Sequence, residues 1–546
     1  MSAIRFGAEP STYDHWQLSI RDHIATLGMK VQEDRTLDDG YALKLNSYDL
    51  GVDIELADAI QRLRFSHPEV RVLIITSLRD RVFCAGANIM MLGRSSHPFK
   101  VNFCKFTNET RLTIEEMSAE SGIATLCALN GTASGGGYEL ALACDRIILI
   151  DDGSSAVSLP EVPLLGVMPG TGGLTRVTDK RKVRRDRADF FATTAEGVRG
   201  ERAVQWNLVD EVAPRARFES RVAELARELG NRSGPLKKGQ GIDLTPLLKE
   251  ESSDRIQYRH VRLEIDRAHK VATLTMRAPD TPQPLDPRGF ADAGCTSWAL
   301  AAWRELDDAI LHLRFNEPSI GVVLLKTEGD SDAVLAADET LVRNKDYWLL
   351  REILLHQKRV LKRLDLTARS LFAVIEPGSA FAGSMLELAL AADRSYMLNS
   401  REQPCSIQLS DHNRGLMPTS SRLSRLEARF FGDSEGLAKV LAHHGKFDAA
   451  QAIASGLITF APDDIDWEDE IRLAVEERAA MSPDALTAME ANLRFVGPET
   501  METKIFGRLS AWQNWIFTRR NATGEKGALT LYGKSGARPE FDFART

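Results

Sequence analysis

An amphipathic helical pattern, ELADAIQRL at 55–63, runs into a β-branched stretch, RVLIITS at 71–77. Far downstream ELDDAILHL at 305–313 runs into IGVVLLKT at 320–327 in the same way. The period-3.6 stretches predict helices, and the short continuous apolar runs predict strands buried on both faces of a parallel sheet. Strand and helix alternate throughout both halves, which predicts α/β domains with crossover connections. A third kind of segment also recurs: GYELALACDR at 137–146 has its counterpart in SMLELALAADR at 384–394. Glu139 and Glu387 stand 248 positions apart, Leu63 and Leu313 250, and the glycines of GVMPGTGG (Gly166) and GLMPTSS (Gly415) 249. Three ordered matches at nearly one offset identify a tandem duplication.

Punctuation divides the chain accordingly. Residues 231–254, rich in Gly, Pro and Lys, read as a linker. The domains are expected at 1–230 and 255–460, followed by a helical C-terminal region at 461–546. In that tail Ser482 precedes Pro483 as an N-cap before a first-turn proline. Farther on, Ile505, Leu509, Trp512 and Ile516 fall at spacings of four, three and four, predicting an apolar stripe along a helix of about 499–520, with Trp515 beside it.

The two copies differ in their chemistry. The first contains VFCAGANIM after a predicted strand and GTASGGGYELA at the opening of a predicted helix. Glycines there permit close approach of a ligand to the backbone, and a helix start turns free N–H groups outward. Two such loops can aim one N–H each at a single carbonyl oxygen. A glycine triplet standing alone would instead read as a tight turn.

These segments, with LPEVPLLGVMPGTGG as a third, resemble the crotonase, or enoyl-CoA hydratase/isomerase, superfamily over most of residues 40–215. The resemblance implies tandem crotonase-like domains of ββα spiral fold, and an acyl-CoA thioester as substrate. It implies that the N–H groups of Ala87 and Gly136 hold the thioester oxygen, and that Glu139 and Glu161 occupy the two acid/base positions. Two carboxylates near one substrate can divide the labour, one activating water and the other returning a proton. One departure is visible: the segment usually reading L-N-R-P is LNSY at 45–48. Cys104, in the helical stretch after the first loop, reads as an apolar filler or as a thiol of the acyl pocket.

The second copy has Ser384 opposite Gly136, Met385 opposite Gly137 and Ser410 opposite Glu161, with AAD at 336–338 for the first loop. It is expected to be a non-catalytic half, with Glu387 retained as a helix-capping carboxylate. The doubled architecture with a helical tail resembles, within the superfamily, a carbon–carbon lyase of aerobic benzoate degradation. The reaction so implied opens 2,3-epoxybenzoyl-CoA with two waters to 3,4-dehydroadipyl-CoA semialdehyde and formate. No cofactor is implied, because the thioester itself serves as electron sink. The competing readings are an ordinary enoyl-CoA hydratase or isomerase, against which no dinucleotide fingerprint follows downstream, and an acyl-CoA-binding scaffold, against which only one copy keeps the glycines and both glutamates.

Composition narrows the partners. At 546 residues and a net charge of −8 the chain is no general polyanion binder, so nucleic acid is not an expected partner. Six cysteines without C-x-x-C spacing predict reduced thiols and no structural metal. The N-terminus lacks the order of a signal peptide and no apolar run reaches spanning length, so a cytoplasmic protein without membrane attachment is expected. The tail stripe must be covered, and predicts a homodimer in which each tail packs on the other chain, the alternative being a lid folded on its own chain.

Overall fold

A computed structural model describes residues 3–233 and 237–546, which form two compact units. Unit 1 runs from Phe6 to Pro246. Unit 2 comprises Leu247–Thr546 together with Ala3–Arg5.

In unit 1 a hairpin of β1 (Trp16–Arg21) and β2 (Ile24–Met29) is followed by helix α1 (Leu50–Ser66) and strands β3 (Val72–Ser77) and β4 (Arg81–Cys84). Helices α2 (Ile89–Arg94) and α3 (His97–Ser121) lead to β5 (Ala124–Leu129), β6 (Gly131–Ser134), helix α4 (Gly136–Ala143), β7 (Arg146–Asp151) and β8 (Val157–Ser158). Helix α5 (Glu161–Leu165) and β9 (Glu211–Pro214) follow. The main sheet has the order β1-β2-β3-β5-β7-β9, parallel from β2 onward. A second sheet, β4-β6-β8, is also parallel. From β3 onward each crossover therefore visits both sheets, giving the predicted spiral.

The local reasons are legible. The side chain of Asp49 accepts from the N–H groups of Gly51 and Val52 at the start of α1. Ser96 caps α3 and Gly122, left-handed at φ 69°, ends it. Helix Arg215–Arg232 lays Phe218, Leu225 and Ala226 over Val72, Ile74, Leu126 and Ile148. Part of the predicted linker lies at 234–236, outside the described residues. Its following stretch is held to unit 1, where the Ile242 N–H donates to the Phe65 carbonyl at 2.9 Å.

Unit 2 repeats the main sheet. The antiparallel pair Val261–Asp266 and Val271–Arg277 continues into parallel strands Val322–Glu328, Ser370–Ile375 and Arg394–Met397. Helix Trp467–Ala480 packs Trp467, Ile471 and Val475 on Val271, Val322, Phe372 and Tyr396, as Arg215–Arg232 does in unit 1. Of the smaller sheet, the described residues keep only a parallel bridge between Ala382 and Gln408, at the place of the β6–β8 pairing. Where β4 and the loop after it would stand, unit 2 has a helix, Ser331–Arg343, opened by the Asp330 side chain accepting from the Asp332 N–H. The predicted AAD counterpart of the first loop is thus helical.

The tail is helical, with Pro483–Arg494 capped by Ser482 as predicted. The long helix is less regular than its spacing suggests. Residues Thr503–Leu509 form a π segment before the α-helical Ser510–Ile516. Bonding to i+5 rotates later side chains relative to a 3.6 period, so the stripe is bent. The chain then returns into unit 2, where Arg545 is buried and donates to the carbonyls of Gly321 and Pro483.

Candidate active site

Strands β4 and β6 end side by side, and each feeds a loop that opens a helix. The first loop crosses Tyr48: the Tyr48 N–H donates to the Gly86 carbonyl at 3.0 Å, and the Asn88 N–H donates to the Tyr48 carbonyl at 2.8 Å. These two bonds bracket Ala87 and leave its N–H outside the pairing. The second loop ends at Gly135, whose N–H donates to the Ser158 carbonyl at 2.9 Å, and Gly136 is the first residue of α4. Among the described residues, the N–H groups of Ala87 and Gly136 have no backbone acceptor.

The loops touch. Gly86 has φ 91°, and a Cβ there would stand 2.9 Å from the Gly136 nitrogen and from the Ser134 carbonyl oxygen. A Cβ on Gly136 would come within 2.0 Å of the Tyr48 hydroxyl. Two N–H groups free of other duty are thus gathered at one place by backbone that admits no side chains. An oxyanion hole requires this arrangement.

Glu139, one turn into α4, is buried, and its side chain faces a glycine-rich loop. One oxygen accepts from the N–H groups of Thr171 at 3.0 Å and Gly173 at 2.7 Å; the other accepts from the Thr171 hydroxyl. That loop is held by Arg176, which donates to the Thr171 carbonyl at 3.1 Å and pairs with Glu115 at 2.9 Å. Glu161, at the start of α5, is the opposite case. Its Oε1 lies 2.8 Å from where a Cβ on Gly135 would stand, and its Oε2 is buried without a donor among the described residues. Desolvation, with the Glu139 charge as second cause, pushes its carboxyl up to about 7. A carboxyl that changes charge near neutral pH can both take and return a proton.

Cys104 is half-buried on α3, and its thiol is pushed up to about 11, first by burial and then by the Glu139 charge. It is a neutral thiol at neutral pH, not a thiolate. The structure therefore gathers Ala87, Gly136, Glu139, Glu161 and Cys104 in one neighbourhood. Beside it the surface is apolar: Ile89 and Met90 follow Ala87, and Val162, Leu164, Val167 and Met168 follow Glu161, all exposed.

Sequence reasoning missed the layer behind the loops. Tyr48, Asp53 on α1 and Arg111 on α3 are all buried. Arg111 reaches the Asp53 carboxylate at 3.4 Å, the Tyr48 hydroxyl at 3.3 Å and the Gly136 carbonyl at 3.4 Å. The signal was present, since both charged residues interrupt inward-facing stretches of their helices.

In unit 2 the corresponding place is filled from within. Asp338, on the helix that replaces the first loop, accepts from the Ser384 N–H at 2.5 Å, and Ser384 is the counterpart of Gly136. A Cβ on Gly383 would stand 2.1 Å from the Asp338 carboxylate and 3.2 Å from the Ser410 hydroxyl, which takes the place of the Glu161 carboxylate at Gly135. The protein's own carboxylate thus sits on the one remaining donor. Glu387 is not a helix cap: its side chain is buried, accepts from Asn413 at 2.8 Å and faces Arg425 at 3.6 Å. Burial, the larger effect, raises its carboxyl above the ordinary range, with Arg425 acting the other way.

Residues 42–238 match the enoyl-CoA hydratase/isomerase family profile. The whole chain is 53% identical over 543 residues to a benzoyl-CoA-dihydrodiol lyase from Aromatoleum evansii, covering 99% of this chain and 98% of that one. Solved structures with local likeness include an enoyl-CoA hydratase from Geobacillus kaustophilus HTA426, 34% identical over 40% of this chain and 76% of that one, with a TM-score of 0.36. An enoyl-CoA hydratase from Bacillus anthracis is 24% identical over 40% and 77%, with a TM-score of 0.35. Carrying an enoyl-CoA hydratase/isomerase domain in its first half and matching that lyase from end to end, the chain belongs to the benzoyl-CoA-dihydrodiol lyase family of crotonases.

Proposed function

We propose that the protein is a carbon–carbon lyase of aerobic benzoate degradation, opening the ring of 2,3-epoxybenzoyl-CoA with two waters to give 3,4-dehydroadipyl-CoA semialdehyde and formate. The observation that carries this reading is the meeting of two unengaged N–H groups with a half-buried carboxyl of pKa about 7, in a chain matched over its full length by a lyase of that name. The thioester oxygen lies on Ala87 and Gly136, and the ring stands against the apolar rim beyond Glu161. Each N–H contributes roughly 3 kcal/mol as negative charge gathers on that oxygen. The thioester so polarised is the electron sink for ring opening, and no further cofactor is called for.

For each of the two waters Glu161 takes a proton as the water oxygen bonds to carbon and then returns it, first to the epoxide oxygen as its carbon–oxygen bond opens, then to the carbon left behind as the carbon–carbon bond breaks and formate leaves. Glu139, held by three donors, stands beside Glu161 and helps to keep its carboxyl raised. Cys104 is a neutral wall of the acyl pocket. The test offers the chain 2,3-epoxybenzoyl-CoA and, separately, crotonyl-CoA. Formate release from the first supports the reading; hydration of the second without formate from the first replaces it with an ordinary enoyl-CoA hydratase.

A pH dependence follows. The base form of Glu161 is lost as pH falls through about 7, so the rate should decline on that side. Glu139→Gln removes the second cause of the raised value and leaves desolvation in place. The acid limb of the residual activity should therefore move to lower pH without reaching the ordinary carboxylate range. An unmoved limb would disconnect the two glutamates.

The reading extends to a cytoplasmic homodimer. All six thiols are free, which suits a reducing compartment. No helix among the described residues is long and apolar enough to cross a membrane. The tail carries Met501, Phe506, Leu509 and Phe517 on its surface, Phe506 being 73% exposed. A second copy covering this face by two-fold symmetry would bury them. Truncation is a poor test, because it removes the buried Arg545. Light scattering of Phe506→Ser/Leu509→Ser is better. Wild type should be a dimer and the variant a monomer with an unchanged circular dichroism spectrum; a monomeric wild type refutes the assembly.

A further inference from the structure

Tyr48 touches both candidate oxyanion loops by different atoms. Its backbone N–H and carbonyl bracket Ala87, while its hydroxyl stands against the Gly136 Cα so closely that a Cβ there would lie 2.0 Å from it. It occupies the last position of the segment LNSY, where the family segment ends in proline. Proline could neither donate the N–H that holds Gly86 nor reach the second loop. Its ring is clamped in turn: Phe103 packs at 6.0 Å between centroids, and the Arg111 guanidinium lies 5.4 Å from the ring centre.

Arg111 completes the link. Its guanidinium serves four acceptors: the Gly136 carbonyl, the Tyr48 hydroxyl, the Asp53 carboxylate and the Thr107 carbonyl, at 3.3 to 3.4 Å. Each contact is long, so the cation is shared rather than anchored on one partner. Asp53 is held as well by the Thr107 hydroxyl. A buried arginine costs several kcal/mol to desolvate, and a packed apolar group of similar volume often serves stability as well or better. Stability is therefore a weak reason for the buried Arg111–Asp53 pair at this place, one peptide unit from the Gly136 donor.

We infer that Arg111, with Tyr48 and Asp53, is the positioning device of the oxyanion hole: it fixes the Gly136 peptide relative to Ala87 and places a buried positive charge behind the thioester oxygen. The inference rests on the proposed reading that these two N–H groups hold that oxygen. Arg111 touches no substrate atom; it acts through Gly136 and Tyr48.

The test uses benzoyl-CoA carrying carbon-13 at the thioester carbonyl, with the carbonyl stretch read by isotope-edited infrared difference spectroscopy on the full chain. Wild type should shift the band to lower wavenumber on binding. The charge-neutral pair Arg111→Met/Asp53→Asn should lose at least about half of that shift, with kcat falling tenfold to about a hundredfold and KM moving less than about threefold. Tyr48→Phe, which removes only the hydroxyl, should lose a smaller part of the shift. A wild-type band that does not move overturns the oxyanion reading itself, and this inference with it. A band that moves in wild type and equally in a folded double variant overturns the inference alone, as does a raised KM with unchanged kcat. If the double variant fails to fold, Tyr48→Phe decides: an undiminished shift with undiminished kcat sinks the proposal.

Discussion

Gly136→Val is expected to abolish formate release while the chain stays folded. The first carbon of the new side chain would lie 2.0 Å from the Tyr48 hydroxyl and 2.8 Å from the ring carbon that bears it. Tyr48 cannot swing away, because its backbone pairs with Gly86 and Asn88 and its ring is closed in by Phe103 and Arg111. Deleting the hydroxyl would not rescue the variant either, since the ring carbon alone is too near. The first turn of α4 must move instead, carrying the Gly136 N–H off the thioester oxygen. Displacement of an oxyanion donor by about 1 Å costs on the order of a hundredfold, and loss of the donor about a hundredfold to a thousandfold. Overpacking of this kind destabilises a core by roughly 1–3 kcal/mol, which lowers the melting temperature of a unit this size by several degrees without unfolding it. Gly93→Ala is the control: it lies on α2, a few residues beyond Ala87, where a Cβ meets nothing within 4 Å, and should leave turnover unchanged. Near-normal turnover in Gly136→Val would place the oxyanion hole elsewhere.

The elements that surround this glycine were legible because they are local. The VLIITS strand, the helix through ELADAIQRL and the helix opening at Gly136 are each fixed by propensity and period within a short window. Two glutamates and two glycine loops could be assigned to one site only through the family resemblance, since nothing local says that position 161 lies above position 135. What stayed hidden depends on side chains meeting across the fold. Asp53 and Arg111 are 58 positions apart, and although each interrupts an inward-facing stretch of its own helix, nothing local says that the two meet. The helix at Ser331–Arg343 was missed for a related reason: alignment to the first copy imposed a loop on a stretch whose own sequence, opened by Asp330 and free of Gly and Pro from 331 to 343, is a good helix former. The π segment at Thr503–Leu509 leaves no mark in a hydrophobic period, because it changes the bonding and not the residues.

Glu161→Gln is expected to lower turnover by about a hundredfold to ten-thousandfold with little change in affinity, and Glu387→Gln to leave turnover within about twofold. The glutamates differ in what surrounds them, not in residue type. Glu161 has an oxygen with no donor among the described residues, a carboxyl raised to about 7, and an exposed apolar rim beside it. An amide of the same shape fills the same space over Gly135 and cannot accept a proton from water, so only the proton transfer is lost. Glu387 lies where the first loop has become a helix, where Asp338 occupies the remaining N–H and where Ser410 stands in the place of the second carboxylate. No substrate carbonyl could reach that donor without first displacing a charged side chain. Glu387→Gln should nonetheless be felt in stability, because Arg425 would lose one of its two carboxylate neighbours and keep only Asp365 at 2.7 Å. A cost of about 1–3 kcal/mol, read as a lower melting temperature at unchanged kcat, is the expected result. The pair of measurements separates the units: a turnover loss confined to Glu161→Gln and a stability loss without turnover loss in Glu387→Gln assign the chemistry to unit 1. A large fall in kcat for folded Glu387→Gln would instead give unit 2 a part in the reaction and overturn its reading as a closed copy.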